Sequence, residues 1–438
     1  MKNAIDTLKK LGICPPDILI PRPHVDLKKW AVVACDQYTS ELDYWKRVSS
    51  YIGDDPSTLR LIYPEVYLEE SHPEKRINDI NFSMSEYLKN DIFSSYPSTF
   101  MLVHREIEGV SRWGLMVALD LEYYDYAKES RTPIRATEGT IESRIPPRKL
   151  IRKDAPLELP HILVLISDNR RAIIEHFIKE KERLEKVYDT DLMEKGGHIT
   201  GYAIDKEEDF THIAKGLTSL FDAADQKNPL VYAMGDGNHS LATARSCWLD
   251  IKSTLTEEEQ KIHPARYALV EIENIYDEGL TFEPIHRVLF QTPKELFFDT
   301  LSNYCDTFVV ESIDSLDDMM KSIHTTSSTQ KFGYNDKDGY YIVTIQQPTS
   351  TIAAGTLQSV IDELLSKKIK GLSVDYIHGE DVTGQLGAME GNIGLFLPSI
   401  NKHTFFETIV KDGALPRKTF SMGEAHEKRF YMEARKIK

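Results

Sequence analysis

The sequence predicts a mixed α/β fold of the α+β kind, and three observations carry that expectation. Short apolar runs recur, each bounded by polar or turn residues, as strands are. Amphipathic stretches of helical period alternate with them. No internal repeat or low-complexity tract interrupts the alternation. The expected strands are 30–35 (WAVVAC), 100–104, 114–119, 161–166, 230–234 and 267–272. Residues 332–346 read as a hairpin with Asn335-Asp336-Lys337-Asp338-Gly339 as its loop. Long helical periodicity marks 170–187, where Ile173, Ile174, Phe177, Ile178 and Leu184 share a side. Segments 240–251, 295–304, 357–367 and 404–410 read the same way.

With 438 residues the chain is too long for one small core, so two or three domains or one large, intertwined unit are expected, with seams near 125–135 and 290–295. A composition of 41% hydrophobic and 28% charged residues is that of a globular chain. Its apolar runs are far too short to span a bilayer, and the first residues, MKNAIDTLKK, have no hydrophobic signal core. A cytoplasmic protein with no membrane partner is therefore expected. The net charge of -16, without a basic run, opposes nucleic-acid binding. Cys14, Cys35, Cys247 and Cys305 are scattered and form no CxxC pair, so neither a zinc site nor a disulfide framework is expected.

One stretch stands out for chemistry. LVYAMGDGNHSLATAR joins an expected strand to an expected helix through Gly235-Asp236-Gly237-Asn238-His239-Ser240. The first amides of a helix have no internal acceptors and suit an anion. Gly235 and Gly237 allow a left-handed backbone or a close ligand approach. Asp236 is a candidate Mg²⁺ ligand, because Mg²⁺ favours carboxylates and phosphate oxygens. His239 is a candidate phosphate donor or proton carrier, and Asn238 and Ser240 add neutral hydrogen bonds. A plain capped turn uses the same residues. Ser240 stands where GxGxxG needs a third glycine, and no Gly-Lys-Ser/Thr follows, so neither familiar nucleotide fingerprint is present.

A second cluster, Arg135-Ala136-Thr137-Glu138-Gly139-Thr140, is followed by Arg144, Arg148 and Lys149. A carboxylate among cations suits anion chemistry with one base kept ionised. Glu138 is the candidate base; Arg135, Thr140 and Arg144 are candidate phosphate contacts. Further candidates are His286 and Arg287 at the end of an expected strand, His378 before a glycine, and Lys418, Thr419 and Ser421 in PRKTFSMG. Asp36, closing the 30–35 run, is either a ligand or a cap.

Taken together, the blocks WAVVACDQYTSELDYW, IRATEGT, AMGDGNHSLATA, ARYALVEIENIYDEGLTFEPIHR, VDYIHGEDV and LPRKTFSMGEAHEKRFYMEARKI resemble the family catalogued as domain of unknown function 1015. The resemblance covers nearly the whole chain. Its Asp-Gly-His-His-Arg-type motif looks like the signature of the ParB/sulfiredoxin-like fold and stands here as Asp236-Gly237-Asn238-His239-Ser240. Asn238 replaces the first histidine and Ser240 the arginine; Arg245 and Arg287 are the candidates for the missing cation. The resemblance implies an N-terminal α/β part over 1–130, a ParB/sulfiredoxin-like core over 131–290 and a C-terminal α/β part over 291–438 closing the site.

Members of that wider fold include free-serine kinases, ParB-type CTPases and sulfiredoxins. The first implies Mg²⁺-dependent transfer of a phosphoryl group to free L-serine, giving O-phospho-L-serine, with pyrophosphate, ADP or ATP as donor. The missing nucleotide fingerprint favours pyrophosphate. In that assignment Glu138, Asp236 and His239 are catalytic, and Asp236 holds the metal. The alternatives are a phosphoserine phosphatase and a ParB-like regulatory module binding nucleotide or DNA; the acidic charge opposes the DNA role. A sulfiredoxin-like role wants a cysteine in the turn, where His239 stands instead.

Overall fold

Alternation of side chains across one large sheet organises the first part of the chain. In the computed structural model, which describes residues 2–324 and 329–438, ten strands form this sheet. In chain order they are β1 (Ile13–Cys14), β2 (Phe100–Ile107), β3 (Val110–Asp120), β4 (Tyr124–Asp125), β5 (Ile134–Arg135), β6 (Leu163–Ile166), β7 (Glu185–Asp191), β8 (His198–Ile204), β9 (Tyr232–Asp236) and β10 (Tyr267–Asn274). Their order across the sheet is β7-β8-β2-β3-β10-β6-β9-β5-β4, with β1 on β3. Pairing is antiparallel except for β10–β6, β9–β5 and β5–β4.

Both faces of the sheet are buried. Leu115, Val117 and Leu119 of β3 enter one core, while Met116 enters the other. Along β2, Phe100 and Leu102 go one way, and Met101 and Val103 the other. A strand covered on both faces needs apolar residues at nearly every position, which is why these runs look continuous in the sequence. Helix α1 (Glu207–Ala223) buries Phe210, Ile213, Ala214 and Leu217 in the first core, at the spacing of one helical face. Helix α2 (Asn238–Lys252) follows β9 directly and buries Leu241, Ala244 and Trp248 there.

The chain divides into two compact units, Met1–Thr281 with Gly423–Lys438, and Phe282–Met422. This differs from three consecutive parts: the tail rejoins the first unit, a return that no local pattern announces. The second unit has its own antiparallel sheet and core. Its strands are β11 (His286–Phe290), β12 (Thr307–Ile313), β13 (Gln330–Asp336), β14 (Gly339–Gln346), β15 (Ser373–Ile377) and β16 (Ile393–Phe396), in the order β12-β14-β13-β16-β11-β15. Helices α3 (Lys294–Leu301) and α4 (Ala353–Ser366) supply Phe297, Leu357, Val360, Ile361 and Leu364 to its core. No helix among the described residues is long and apolar enough to cross a membrane.

Three local expectations are corrected. Residues 170–187 are not one long helix. Asp168, nearly fully buried, accepts the amides of Arg170, Ala172 and Ile173 and holds a turn there. Only Ile174–Lys179 is α-helical, and Glu185 already belongs to β7. The run 30–35 is not a strand. Asp26 caps a helical turn at Leu27–Trp30, and the residues beyond it meet the C-terminal tail through one isolated bridge, Val33 to Phe430. The β13–β14 hairpin turns on Lys337 and Asp338 alone. Asp336 and Gly339 pair across it, and the Asp336 carboxylate accepts the Asp338 amide.

Candidate active site

The turn after β9 is made by its backbone. The ladder between β9 and β6 slips between Met234 and Asp236, and Gly235 sits at that irregularity. Gly237 then adopts φ +80 and caps α2. A Cβ there would lie 3.1 Å from Ile162. Gly237→Ala should therefore cost ~1–3 kcal/mol in urea denaturation, from left-handed strain and this contact. An unchanged midpoint would mean that the turn relaxes without loss.

Asp236 is engaged through both oxygens. Oδ1 accepts the Gly237 amide at 2.8 Å, and Oδ2 pairs with Lys428 Nζ at 3.0 Å. Burial pushes its pKa up, but the Lys428 charge and hydrogen bond, the Gly237 amide and nearby His161 prevail and hold it below the usual range. Asp236 is therefore ionised at neutral pH. It offers Mg²⁺ one carboxylate, already paired with an ammonium. That fits an ion arriving with phosphate oxygens of its own, not a site built wholly of protein ligands.

The 134–141 segment lies against this turn. Thr137 donates to the Met234 carbonyl at 2.6 Å through its hydroxyl, and its amide meets Asn238 Oδ1 at 3.3 Å. The Ile141 amide donates to His239 Nε2 at 3.2 Å, so the neutral ring carries its hydrogen on Nδ1. Glu138 is half-buried in the same segment. Thr140 Oγ1 is buried with no hydrogen-bond partner, which suits contact with a ligand. The first unit thus brings Glu138, Thr140, Gly235, Asp236, Gly237, Asn238, His239 and Ser240 into one locality. Arg144 is exposed just beyond it.

Arg135 is corrected. It is buried, and its guanidinium donates to the carbonyls of Thr132, Ser130, Asn228 and Pro229. It braces the chain, with four of its five N–H groups given to carbonyls. Arg245 gives its Nη1 to the carbonyls of Leu121 and Tyr124.

Three contributors carry no signal in the local sequence. His161, just before β6, meets Ser240 Oγ through Nε2 at 2.8 Å and the Tyr431 hydroxyl through Nδ1 at 2.8 Å. Lys428 and Tyr431 come from the returning tail. Asp36, left open between ligand and cap, has Oδ2 4.0 Å from His161 Nε2. The tail is pinned by a buried charge network at Arg429 and Glu433. Arg429 pairs with Glu271 at 3.0 Å and with Glu433, and Tyr188 donates to Glu433. Arg112 pairs with Glu273 at 2.9 Å.

Burial pushes Glu273 up to about 8, because the Glu271 and Asp277 charges offset what Arg112 supplies. The folded chain then keeps a proton that the unfolded chain releases in the ordinary carboxylate range. Stability from this group falls as pH rises from about 4.5 through about 8 and stays lost above. Glu273→Gln should flatten that part of the profile in urea titrations. Parallel wild-type and variant profiles would show instead that Glu273 is ionised in the fold.

The remaining candidates belong to the second unit. His286 and Arg287 are corrected to core residues of β11. His286 Nδ1 accepts the Leu397 amide at 3.1 Å, and burial, then the charges of Arg287, His324 and His378, pulls its pKa down to about 4. Arg287 is fully buried, donates to the Ile285 carbonyl and lies over the Tyr376 ring. Thr419 is also corrected: its buried hydroxyl closes a turn onto the Pro416 carbonyl. His378 and Lys418 are exposed, and Ser421 pairs with Glu283 in a two-stranded ribbon.

Fold and site together define a mixed α/β protein with an anion-suited strand–turn–helix site. Residues 19–364 match the family described as "Protein of unknown function (DUF1015)", and the chain belongs to that family. No curated protein matches it. Among solved structures it is similar to a conserved hypothetical protein from Pyrococcus furiosus, at 10% identity and TM-score 0.36, covering 74% of this chain and 95% of that one. It is similar to a free serine kinase in complex with AMP, at 10% identity and TM-score 0.37, covering 74% and 91%. SbnI from Staphylococcus aureus, with a C-terminal truncation, is similar at 10% identity and TM-score 0.33, covering 73% and 81%.

Proposed function

We propose that this protein is a phosphotransferase that moves a phosphoryl group from pyrophosphate or a nucleotide to the hydroxyl of free L-serine. The observation that carries this is the turn itself. A left-handed glycine opens a 15-residue helix, and Asp236 joins the amide of that glycine to the Lys428 ammonium. Phosphoryl transfer needs amides and cations around the phosphates and a base on the acceptor hydroxyl. The turn and Lys428 would receive the phosphates, and Glu138 would take the acceptor's proton. His239, whose Nε2 accepts the Ile141 amide, would stand beside the phosphates at the start of the helix. Mg²⁺, bound through Asp236 and the donor, would neutralise developing charge.

The test is phosphorus NMR of the protein with Mg²⁺, L-serine and, in separate tubes, pyrophosphate, ADP or ATP. An O-phosphoserine signal establishes the activity and names the donor. Silence in all three, with phosphate released from added O-phosphoserine, replaces it by a phosphatase. Silence there as well removes both enzymatic readings. Glu138→Gln should lower kcat by about 10²- to 10⁴-fold, as loss of a base does, with little change in donor KM. A raised KM at normal kcat would make Glu138 a binding residue.

A further inference from the structure

Ser240 occupies the third position of α2, with its hydroxyl 2.8 Å from His161 Nε2. The other ring nitrogen of His161 is 2.8 Å from the Tyr431 hydroxyl, and that hydroxyl accepts the Cys35 amide at 3.1 Å. The two rings meet edge to face at 89°, with centroids 5.6 Å apart. The imidazole is thus fixed through both nitrogens. With its hydrogen on Nδ1 it donates to Tyr431, and Nε2 accepts the Ser240 O–H. Asp36 Oδ2, 4.0 Å from Nε2, places a negative charge beside the ring as it takes up a proton. A hydroxyl, a base within hydrogen-bond reach and a third group orienting that base form the general arrangement of an activated nucleophile. A capping serine needs no histidine, and a structural histidine needs no hydroxyl at the mouth of an anion-suited turn.

We propose that Ser240 is a nucleophile that carries the phosphoryl group between donor and acceptor, with His161 as its base. This rests on the phosphoryl-transfer reading above. In the first step a bond forms between Ser240 Oγ and the terminal phosphorus of the donor. The bond from that phosphorus to its bridging oxygen breaks, and the electron pair leaves with the leaving group. That group is inorganic phosphate from pyrophosphate, or the nucleotide shortened by one phosphate. The Ser240 proton passes to His161 Nε2. In the second step the acceptor hydroxyl attacks the phosphorus and gives its proton to Glu138. Ser240 Oγ leaves and recovers its proton from His161. Tyr431 is a positioning residue that holds the ring.

The experiment incubates the full chain with Mg²⁺ and pyrophosphate, ADP or ATP separately, without serine, and reads intact mass and the modified peptide. One phosphoryl group should appear on the peptide containing Ser240 in at least one tube. Ser240→Ala should lose it while keeping the wild-type melting curve. His161→Gln should slow its formation by at least about 10²-fold. Adding L-serine should discharge it, and initial rates should follow a ping-pong pattern. A phosphoenzyme that serine does not discharge supports the nucleophile and overturns serine as the acceptor. Ser240→Ala phosphorylating serine at the wild-type rate leaves the kinase standing and overturns the nucleophile. Wild-type protein that takes up no phosphoryl group from any of the three donors also overturns it.

Discussion

Asp236→Asn should lower kcat for phosphoryl transfer by about 10²- to 10³-fold, the scale of losing one preorganised electrostatic partner. The amide keeps a carbonyl for the Gly237 N–H but turns a neutral group toward Lys428. The ammonium then loses its anionic partner, and under the proposed mechanism the turn no longer offers Mg²⁺ a carboxylate. Lys428 is largely buried, so the variant should also lose about 1–3 kcal/mol of stability. That leaves a folded protein, and circular dichroism at the assay temperature separates the two effects. Lys428→Gln should reproduce much of the loss, and the double variant should fall well short of the product of the two, because the pair acts as a unit. Wild-type turnover in Asp236→Asn would remove this carboxylate from the mechanism.

Arg429→Leu should destabilise the protein by about 3–5 kcal/mol, because it leaves Glu271 and Glu433 buried without their shared cation. The guanidinium is 1% exposed, so water cannot take its place. Urea denaturation at neutral pH reads the loss directly. Adding Glu433→Leu should recover part of it, since removing both partners costs less than stranding one. A loss no larger than that of an exposed pair would mean that the carboxylates take up protons at little cost. Lys428 precedes Arg429 and Tyr431 lies two residues on, so the site should loosen in the same variant.

Five of the ten strands of the large sheet, β2, β3, β6, β9 and β10, were legible because their apolar runs are short and bounded, with burial on both faces leaving little polar interruption. The segment 170–187 was not legible. Its apolar spacing fits a helix, and only the buried Asp168, which gathers three amides, shows that the chain turns first. Within the site, the Asp236–Ser240 turn was readable because glycine spacing and polar residues coincide at a strand–helix junction. Lys428 and Tyr431 were not, since they lie 192 and 270 residues from Asp236 and His161. Residue type alone also cannot separate an arginine that meets a ligand from Arg135, which spends its donors on carbonyls.

The long return of the chain has a consequence in time. While the polypeptide is being made, Asp236 and its glycine turn emerge without their lysine. A further 192 residues separate the two partners, and the whole second unit lies within that interval. At typical rates of synthesis this is a delay of about 10–40 s. Throughout it the nascent protein carries the Asp236 carboxylate without its lysine and His161 without its tyrosine. The contacts of Lys428 with Asp236 and of Tyr431 with His161 can form only after the whole second unit has been made.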